Sequence, residues 1–102
     1  MTEQHVSILE KCAAQAIRLG ARQLEVEYND GYEELSAIAG DFGFGICRLR
    51  STSQAPATLR HELYQCTRRK GQIVVDGDNY ELRARTYDSF GEQTYQVRLR
   101  RA

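Results

Sequence analysis

The chain of 102 residues contains a single proline and no apolar run near the roughly 20 residues that span a bilayer. Because proline is scarce and the apolar content is an ordinary 41%, a disordered or linker-rich protein is excluded. The first residues, Met1–His5, lack the basic and apolar stretches of a signal peptide. We therefore expect a cytoplasmic protein with no membrane partner, folded as one domain over residues 1–102.

Cysteine and histidine are too few and too scattered to predict a metal or redox site. Cys12, Cys47 and Cys66 form no C-x-x-C pair, which argues against a zinc knuckle, a redox motif or a disulfide framework. Each has apolar neighbours, and a free cysteine in such surroundings behaves as a small buried hydrophobe. His5 and His61 have no cysteine at a spacing that would let them share a metal. The sequence thus predicts no metal site and no cofactor.

The chain also lacks a recognisable catalytic constellation. The triplet Asp41-Phe42-Gly43 matches the magnesium-binding motif of kinases, but no other kinase motif is present. The glycine-rich segment Gly40–Gly45 is not followed by the Lys-Ser/Thr of a phosphate-binding loop. Glu33 and Glu34 fit a solvated strand edge better than an acid–base pair. We predict that the protein is not an enzyme, and a small enzyme is the third alternative.

Apolar spacing and turn residues predict two helices, each followed by three strands. Gly20 fits the C-cap of the first helix, whereas Pro56, with a hydroxyl cap before it, begins the second helix and Gly71 stops it. The first half is predicted to contain a helix from about Glu3 to Leu19 and strands at Leu24–Tyr28, Glu33–Ala39 and Phe42–Arg50. The second half is predicted to contain a helix from Pro56 to about Arg69, a strand at Ile73–Val75 and a closing hairpin. Turns are predicted at Asn29–Gly31, Gly40-Asp41 and Asp76–Asn79. This α-βββ-α-βββ order predicts an α+β domain with a mostly antiparallel sheet packed by two helices.

The third predicted strand has glycine at alternate positions. Simple alternation divides its side chains between two faces, with Phe42, Phe44, Ile46 and Arg48 on one and Gly43, Gly45, Cys47 and Leu49 on the other. Glycine within a strand favours a bulge or the close approach of another backbone segment.

The closing hairpin alternates between apolar and polar residues, which is typical of strands with one buried and one wet face. The wet face carries Glu81, Arg83, Arg85, Tyr87, Thr94, Gln96, Arg98 and Arg100. A register that pairs Leu82 with Val97 would set Glu81 opposite Arg98 and Arg83 opposite Gln96. It leaves Asp88–Gly91 as the loop.

This arginine-rich face is the leading candidate for a binding site. Residues 1–46 hold eight acids and three bases, whereas residues 47–102 hold six acids and eleven bases, so the halves carry opposite charge. Arg83, Arg85, Arg98 and Arg100, with Arg101 at the terminus, could hold phosphate groups or acidic side chains of a partner, or they could form a solvated face that resists edge aggregation. Tyr87 and Phe90 are the only aromatic candidates for base stacking, and both lie at the turn end, which argues against nucleic acid.

The layout resembles the N-terminal domain that precedes the RecA-like core of type II secretion and type IV pilus assembly ATPases. The resemblance lies in three short segments: Ala16–Glu27, which is similar to a helix end, a Leu-Gly-Ala turn and a first strand; Arg68-Arg69 before Gly71–Ile73; and Glu81–Thr86 with Gly91-Glu92 and Val97–Leu99. In that family, arginines of this domain reach the phosphates of a nucleotide held by the ATPase core. The resemblance implies this role for Arg83 and, less closely, for Arg68 or Arg69. The chain has no P-loop and no Walker B strand, so the resemblance implies an accessory or regulatory domain rather than the ATPase.

We therefore expect a non-enzymatic α+β module that binds a protein partner or self-associates. The alternative is a binder of an anionic ligand, nucleotide or nucleic acid, through Arg83, Arg85 and Arg98.

Overall fold

The computed structural model describes residues 7–89 and 92–102, and its element order matches the predicted one. The elements are α1 (Ile8–Arg18), β1 (Gln23–Asn29), β2 (Tyr32–Ala39), β3 (Phe42–Arg50), α2 (Ala55–Arg68), β4 (Gly71–Val75), β5 (Asp78–Ser89) and β6 (Glu92–Arg101). The predicted helix start at Glu3, His5, and the loop residues Phe90 and Gly91 lie outside the described residues. Neither described helix is long and apolar enough to cross a membrane.

The strands form one antiparallel sheet in the order β3-β2-β1-β6-β5-β4, which confirms the predicted α+β class. Both helices pack on the same face of this sheet, because most of the residues that the inner strands direct to that face are apolar and buried. The helices contribute Leu9, Cys12, Ala13 and Ala16 from α1 and Leu59, Leu63 and Cys66 from α2. We call the opposite face, which neither helix covers, the outer face.

Local turn chemistry agrees with the sequence at most of the predicted positions. Gly20 has a φ of 83° and closes α1 in a Schellman motif, with Gly20 N donating to Ile17 O at 2.9 Å and Ala21 N to Ala16 O at 3.0 Å. The β1–β2 turn is the two-residue Asp30-Gly31, with φ values of 52° and 85°. Both positive values match the twist of a hairpin.

The limits of α2 have other causes than those predicted. Gln54 precedes the helix and makes no side-chain capping bond, so the predicted hydroxyl cap is wrong. The helix ends because Arg69 is extended, with a φ of −150°, and Gly71 already belongs to β4, opposite Leu82. Glycine at position 71 eases the close approach of α2 to β4, since a Cβ there would lie a tight 3.1 Å from Cys66 Sγ. The turn is also shorter than the predicted Asp76–Asn79, because Asp78 and Asn79 belong to β5 and pair with Val75 and Val74 of β4.

A bulge in β3 overturns the predicted division of its side chains. Leu35 of β2 lies opposite Cys47, whereas the next residue, Ser36, lies opposite Gly45, so Ile46 is the extra residue. The extra residue reverses the alternation. Phe42, Phe44, Cys47 and Leu49 therefore share the helix-side face, and Gly43, Gly45, Arg48 and Arg50 share the outer face. The bulge itself was predicted correctly from the glycines.

The predicted register of the closing hairpin is wrong by two residues. Leu82 lies opposite Leu99 rather than Val97, and Arg83 lies opposite Arg98 rather than Gln96. The reason is that β5 continues two residues farther toward the turn than the predicted loop Asp88–Gly91 allows, to Ser89, whereas β6 begins at Glu92 as that loop implied. A shift of two residues keeps every side chain on its predicted face, because the side-chain period of a strand is two.

Candidate functional site

Three of the predicted site residues meet on the outer face. Arg83 and Arg85 alternate with buried Leu82 and Ala84 along β5, so both guanidinium groups project away from the helices. Arg98 projects in the same way from β6, and the three arginines line one shallow pocket of about 180 Å³. We call these three residues, with Gln23 and Gln96 beside them, the arginine surface.

Arg83 and Arg98 lie directly opposite each other in adjacent strands. Among the side chains that the structure describes, no carboxylate lies within 4.0 Å of either guanidinium group. The acidic partner predicted for Arg98, Glu81, instead forms an ion pair with Lys70 at 3.2 Å. Like charges opposite each other destabilise a strand pair, so this arrangement favours an external anion between the two groups.

Arg85 is held by a neutral neighbour. Its Nε donates a hydrogen bond of 2.6 Å to Oε1 of Gln96, the residue opposite it on β6. The amide oxygen fixes the guanidinium group without neutralising its charge. Arg85 therefore keeps a positioned positive charge beside the Arg83–Arg98 pair.

Two further arginines extend the positive region: Arg100, which was predicted on the same wet face, and Arg22, which was not. Arg22 and Arg100, with Arg98, line a neighbouring pocket of about 320 Å³ at the end of the sheet. The Arg22 backbone is fixed there, because its carbonyl accepts a hydrogen bond of 2.9 Å from Leu99 N. Sequence reasoning missed Arg22 as a site residue because it lies just before β1, and only the β1–β6 pairing brings it beside Arg100.

The opposite half of the outer face is acidic. Glu25 and Glu27 alternate on β1, and Glu34 lies opposite Glu27 on β2. At the far edge, Arg48 lies 3.8 Å from Glu34 and stacks 4.2 Å from the centre of the Tyr32 ring. The surface is therefore divided into a basic half on β5 and β6 and an acidic half on β1 and β2.

Tyr87 lies near the boundary between these halves. It faces Thr94 of β6, and burial, followed by the charges of Glu25 and Glu27, raises the pKa of its phenol. Thr94, predicted to lie on the wet face, is in fact only 3% exposed. Thr94 does lie on the outer face, opposite Tyr87, but neighbouring groups exclude water from its side chain.

Arg68 and Arg69 are not part of this surface. They lie at the end of α2 and line a separate pocket of about 730 Å³, together with Tyr64, Lys70 and Gln72. Arg68 donates to the Tyr64 hydroxyl at 3.2 Å, one helical turn earlier. The five arginines predicted as a binding set therefore divide between two places in the fold.

One buried carboxylate, Glu33, and one half-buried carboxylate, Glu62, have packing or capping contacts. Glu33, expected to be a solvated residue, is only 4% exposed on the helix-side face and forms an ion pair with Arg60 of α2, whose Nε lies 2.8 Å from Glu33 Oε1. Glu62 of α2 accepts from the Ser7 hydroxyl and from Leu9 N at 3.4 Å, at the start of α1. Burial is the largest cause of the raised pKa of Glu62.

The buried thiols have the properties of core side chains. Burial, reinforced by neighbouring Cys47, raises the pKa of Cys12 to about 12, and burial also raises the pKa of Cys66. A thiol with a raised pKa holds its proton and is a poor nucleophile at neutral pH. Within residues 7–89 and 92–102, no three His, Cys, Asp or Glu side chains come together as metal ligands.

Neither the scan against protein-family models nor the search of curated proteins gives a match to this chain.

Proposed function

We propose that this protein is a non-enzymatic, cytoplasmic binding module whose arginine surface holds an acidic segment of a partner protein. The observation that carries the proposal is the register of Arg83 against Arg98, since neither has a described acidic partner within 4.0 Å. A carboxylate placed between them would accept charge-assisted hydrogen bonds from both guanidinium groups. Its negative charge would also relieve the repulsion between them.

The charge pattern around this pair favours a protein partner over nucleic acid. A nucleic-acid strand carries a continuous line of phosphates, which the neighbouring Glu25 and Glu27 would repel. A protein surface can present acids to the basic half and bases to the acidic half. The arginine surface also contains no aromatic side chain on which a base could stack.

The arrangement of the surface suits a binding role. Side chains on the paired strands of a sheet are held in fixed positions, and Gln96 further restrains Arg85. Cys12, whose pKa is raised to about 12, is buried in the core and lies away from this surface. These features support recognition rather than acid–base or nucleophilic chemistry.

A small anionic ligand such as a nucleotide is the second candidate. The pocket of about 180 Å³ between Arg83, Arg85 and Arg98 is large enough for a phosphate group. The resemblance to the N-terminal domain of secretion and pilus assembly ATPases also implies that Arg83 contacts a phosphate group. The nucleotide would then be held by another chain.

A binding experiment with two probes separates the candidates. We would titrate the protein at low salt with a fluorescein-labelled glutamate-rich peptide and, separately, with a labelled ATP analogue. The test variant is Arg83→Gln/Arg98→Gln. The control is Arg18→Gln/Arg50→Gln, which removes two positive charges from exposed positions elsewhere.

We expect the peptide to bind the wild type and the control, and the test variant to lose about tenfold or more in affinity, because charged hydrogen bonds are lost. Binding of the ATP analogue alone would favour the second candidate. Equal peptide binding by both variants, or binding of neither probe, would contradict an anion-binding role for the arginine surface.

A further inference from the structure

The two edges of the sheet differ in how well they are protected against pairing with another strand. The β4 edge has only five residues, and its flanking residue Lys70 carries a charge. The β3 edge has nine residues and no proline, and its bulge and its charged residues all lie from Ile46 onward, so its first half, Phe42–Gly45, carries neither. Short edges and edge lysines discourage strand addition, whereas a long unprotected edge is a template for it. The β3 edge is therefore the one open to a partner.

The first half of β3 is unusually exposed for its composition. Phe42 is 70% exposed and Phe44 is 46% exposed, and both lie on the helix-side face. Gly43 lies between the two phenylalanines and Gly45 follows the second. Neither glycine places a side chain on the outer face. A second strand could therefore approach closely, and it would cover two aromatic rings that now contact water.

We propose that β3 pairs antiparallel with β3 of a second copy of this chain, to form a two-fold dimer with a continuous twelve-stranded sheet. Several two-fold registers keep side chains on matching faces, and we choose the one with Phe44 on the two-fold axis, opposite Phe44 of the partner subunit, because it also sets an acid opposite a base. Gly43 then lies opposite the partner's Gly45. Phe42 lies opposite the partner's Cys47, with Ile46 as the extra residue of the bulge.

Charge complementarity supports a second copy as the occupant of this edge. Asp41 precedes the strand and takes part in none of the ion pairs among the described residues. In the register above, Asp41 lies opposite the partner's Arg48, and two-fold symmetry forms this pair twice. Within its own chain, Arg48 contacts Glu34 only at 3.8 Å and its side chain is 60% exposed, so it can also contact a second carboxylate. An acid at one end of a strand and a base near the other is the pattern that antiparallel self-pairing requires.

Pairing of β3 with β4 of another copy is less favourable. It would match nine residues with five and would leave a free edge on each new copy, so the assembly would not close. The β3–β3 arrangement buries the long edge of both copies and leaves only the protected β4 edges.

Sedimentation equilibrium over a range of protein concentrations tests the dimer directly. We expect wild-type protein to have twice the mass of the chain and Phe44→Glu to be monomeric. The matched control is Val74→Glu on β4, where the valine is 67% exposed; this variant should remain dimeric. Circular dichroism of each variant checks that the strands have formed.

A charge exchange gives a second measurement that does not depend on Phe44. Asp41→Arg and Arg48→Asp should each weaken the dimer, and the double variant Asp41→Arg/Arg48→Asp should restore it. Recovery in the double variant requires the two residues to meet across the interface, because loss of folding alone would not be reversed.

Cross-linking tests the position of the axis. Opposed residues in antiparallel strands have Cα atoms about 4.5–5.5 Å apart, which lies within the range for a disulfide. Phe44→Cys should therefore form a covalent dimer when diamide oxidises its two thiols, whereas Val74→Cys and the wild type should not. A wild type that stays monomeric at every concentration, or open-ended oligomers abolished by Val74→Glu, would overturn the proposal.

Discussion

Arg83 of β5 and Arg98 of β6 lie opposite each other on the outer face of the sheet, which neither α1 nor α2 covers. Two guanidinium groups in this relationship repel each other, and no described carboxylate within 4.0 Å compensates them. The arrangement lowers the stability of the free protein, yet it leaves two donors directed at the same space. Stability and binding are expected to change in opposite directions when one of these arginines is replaced.

The first prediction follows from this pair. Replacing Arg98 by Gln should raise the free energy of unfolding by about 0.2–1 kcal/mol, because it removes the like-charge repulsion. Urea denaturation at low salt measures the change. Arg85→Gln is the control, since Arg85 already donates to Gln96 and its loss should give no such gain. A gain that persists unchanged at high salt would show that repulsion is not the cause, because salt screens exposed charges.

The second prediction concerns the ion pair between Glu33 and Arg60. Glu33 is buried on the helix-side face, so Arg60→Ala should lower the free energy of unfolding by about 1–3 kcal/mol by leaving a carboxylate without its partner. This range is below the value for fully buried pairs because the Arg60 side chain is 46% exposed. The double variant Glu33→Leu/Arg60→Leu should recover most of the loss. Equal destabilisation by the single and double variants would mean that α2 is held mainly by other contacts.

The third prediction uses the sign of the pKa shift at Glu62. Burial raises its pKa in the folded protein above the ordinary value of 4.5, so the folded state disfavours the charged form. Protonated Glu62 stabilises the folded state relative to charged Glu62. This stabilisation is fully present below the unfolded-state pKa of 4.5, and it is lost as the pH rises through the higher pKa of the folded protein. Glu62→Gln should therefore be at least as stable as the wild type at pH 7, with the difference shrinking toward pH 4. Denaturant unfolding at both pH values measures this.

A control variant separates the charge of Glu62 from its capping role. Glu62→Ala removes the acceptor for Leu9 N as well as the charge, and it should cost about 0.5–2 kcal/mol, as the loss of a helix cap does. If Glu62→Gln loses as much stability as Glu62→Ala at pH 7, the carboxylate charge stabilises α1 and the predicted sign is wrong.

The fourth prediction tests the close approach of α2 to β4. A Cβ on Gly71 would lie 3.1 Å from Cys66 Sγ, so Gly71→Ala should lower the free energy of unfolding by about 1–3 kcal/mol through overpacking. Gly45→Ala is the control, because nothing lies within 4 Å of a Cβ at that position. Adding Cys66→Ala should relieve the clash in Gly71→Ala. If it does not, the cost comes from the backbone of β4.

The elements of the fold were predictable because their signals are local. The apolar spacing of Leu59, Leu63 and Cys66 places them on one face of a helix, whatever surrounds that helix. The Asp30-Gly31 turn and the Gly20 cap depend on backbone conformations that few residues adopt. These features fixed the element order and the α+β class.

The positions of residues across strands were less predictable because they depend on distant pairing. One extra residue at Ile46 reversed the faces of half of β3, and two further residues at the turn end of β5 gave Arg98 a different neighbour. Burial of Glu33 depended on where α2 packs, which no pattern around Glu33 indicates. Such relationships join residues that are far apart in sequence.

The sequence alone determined that arginines would share one wet face of the closing hairpin, because strand alternation is a property of the backbone itself. Only the tertiary structure decided which of them meet. The β5–β6 register brought Arg83 to Arg98, and the β1–β6 pairing added Gln23 and Arg22 beside them. The packing of α2 placed Arg68 and Arg69 in a separate pocket. Alternation sets the direction of each side chain, whereas hydrogen bonding between distant strands sets its neighbours.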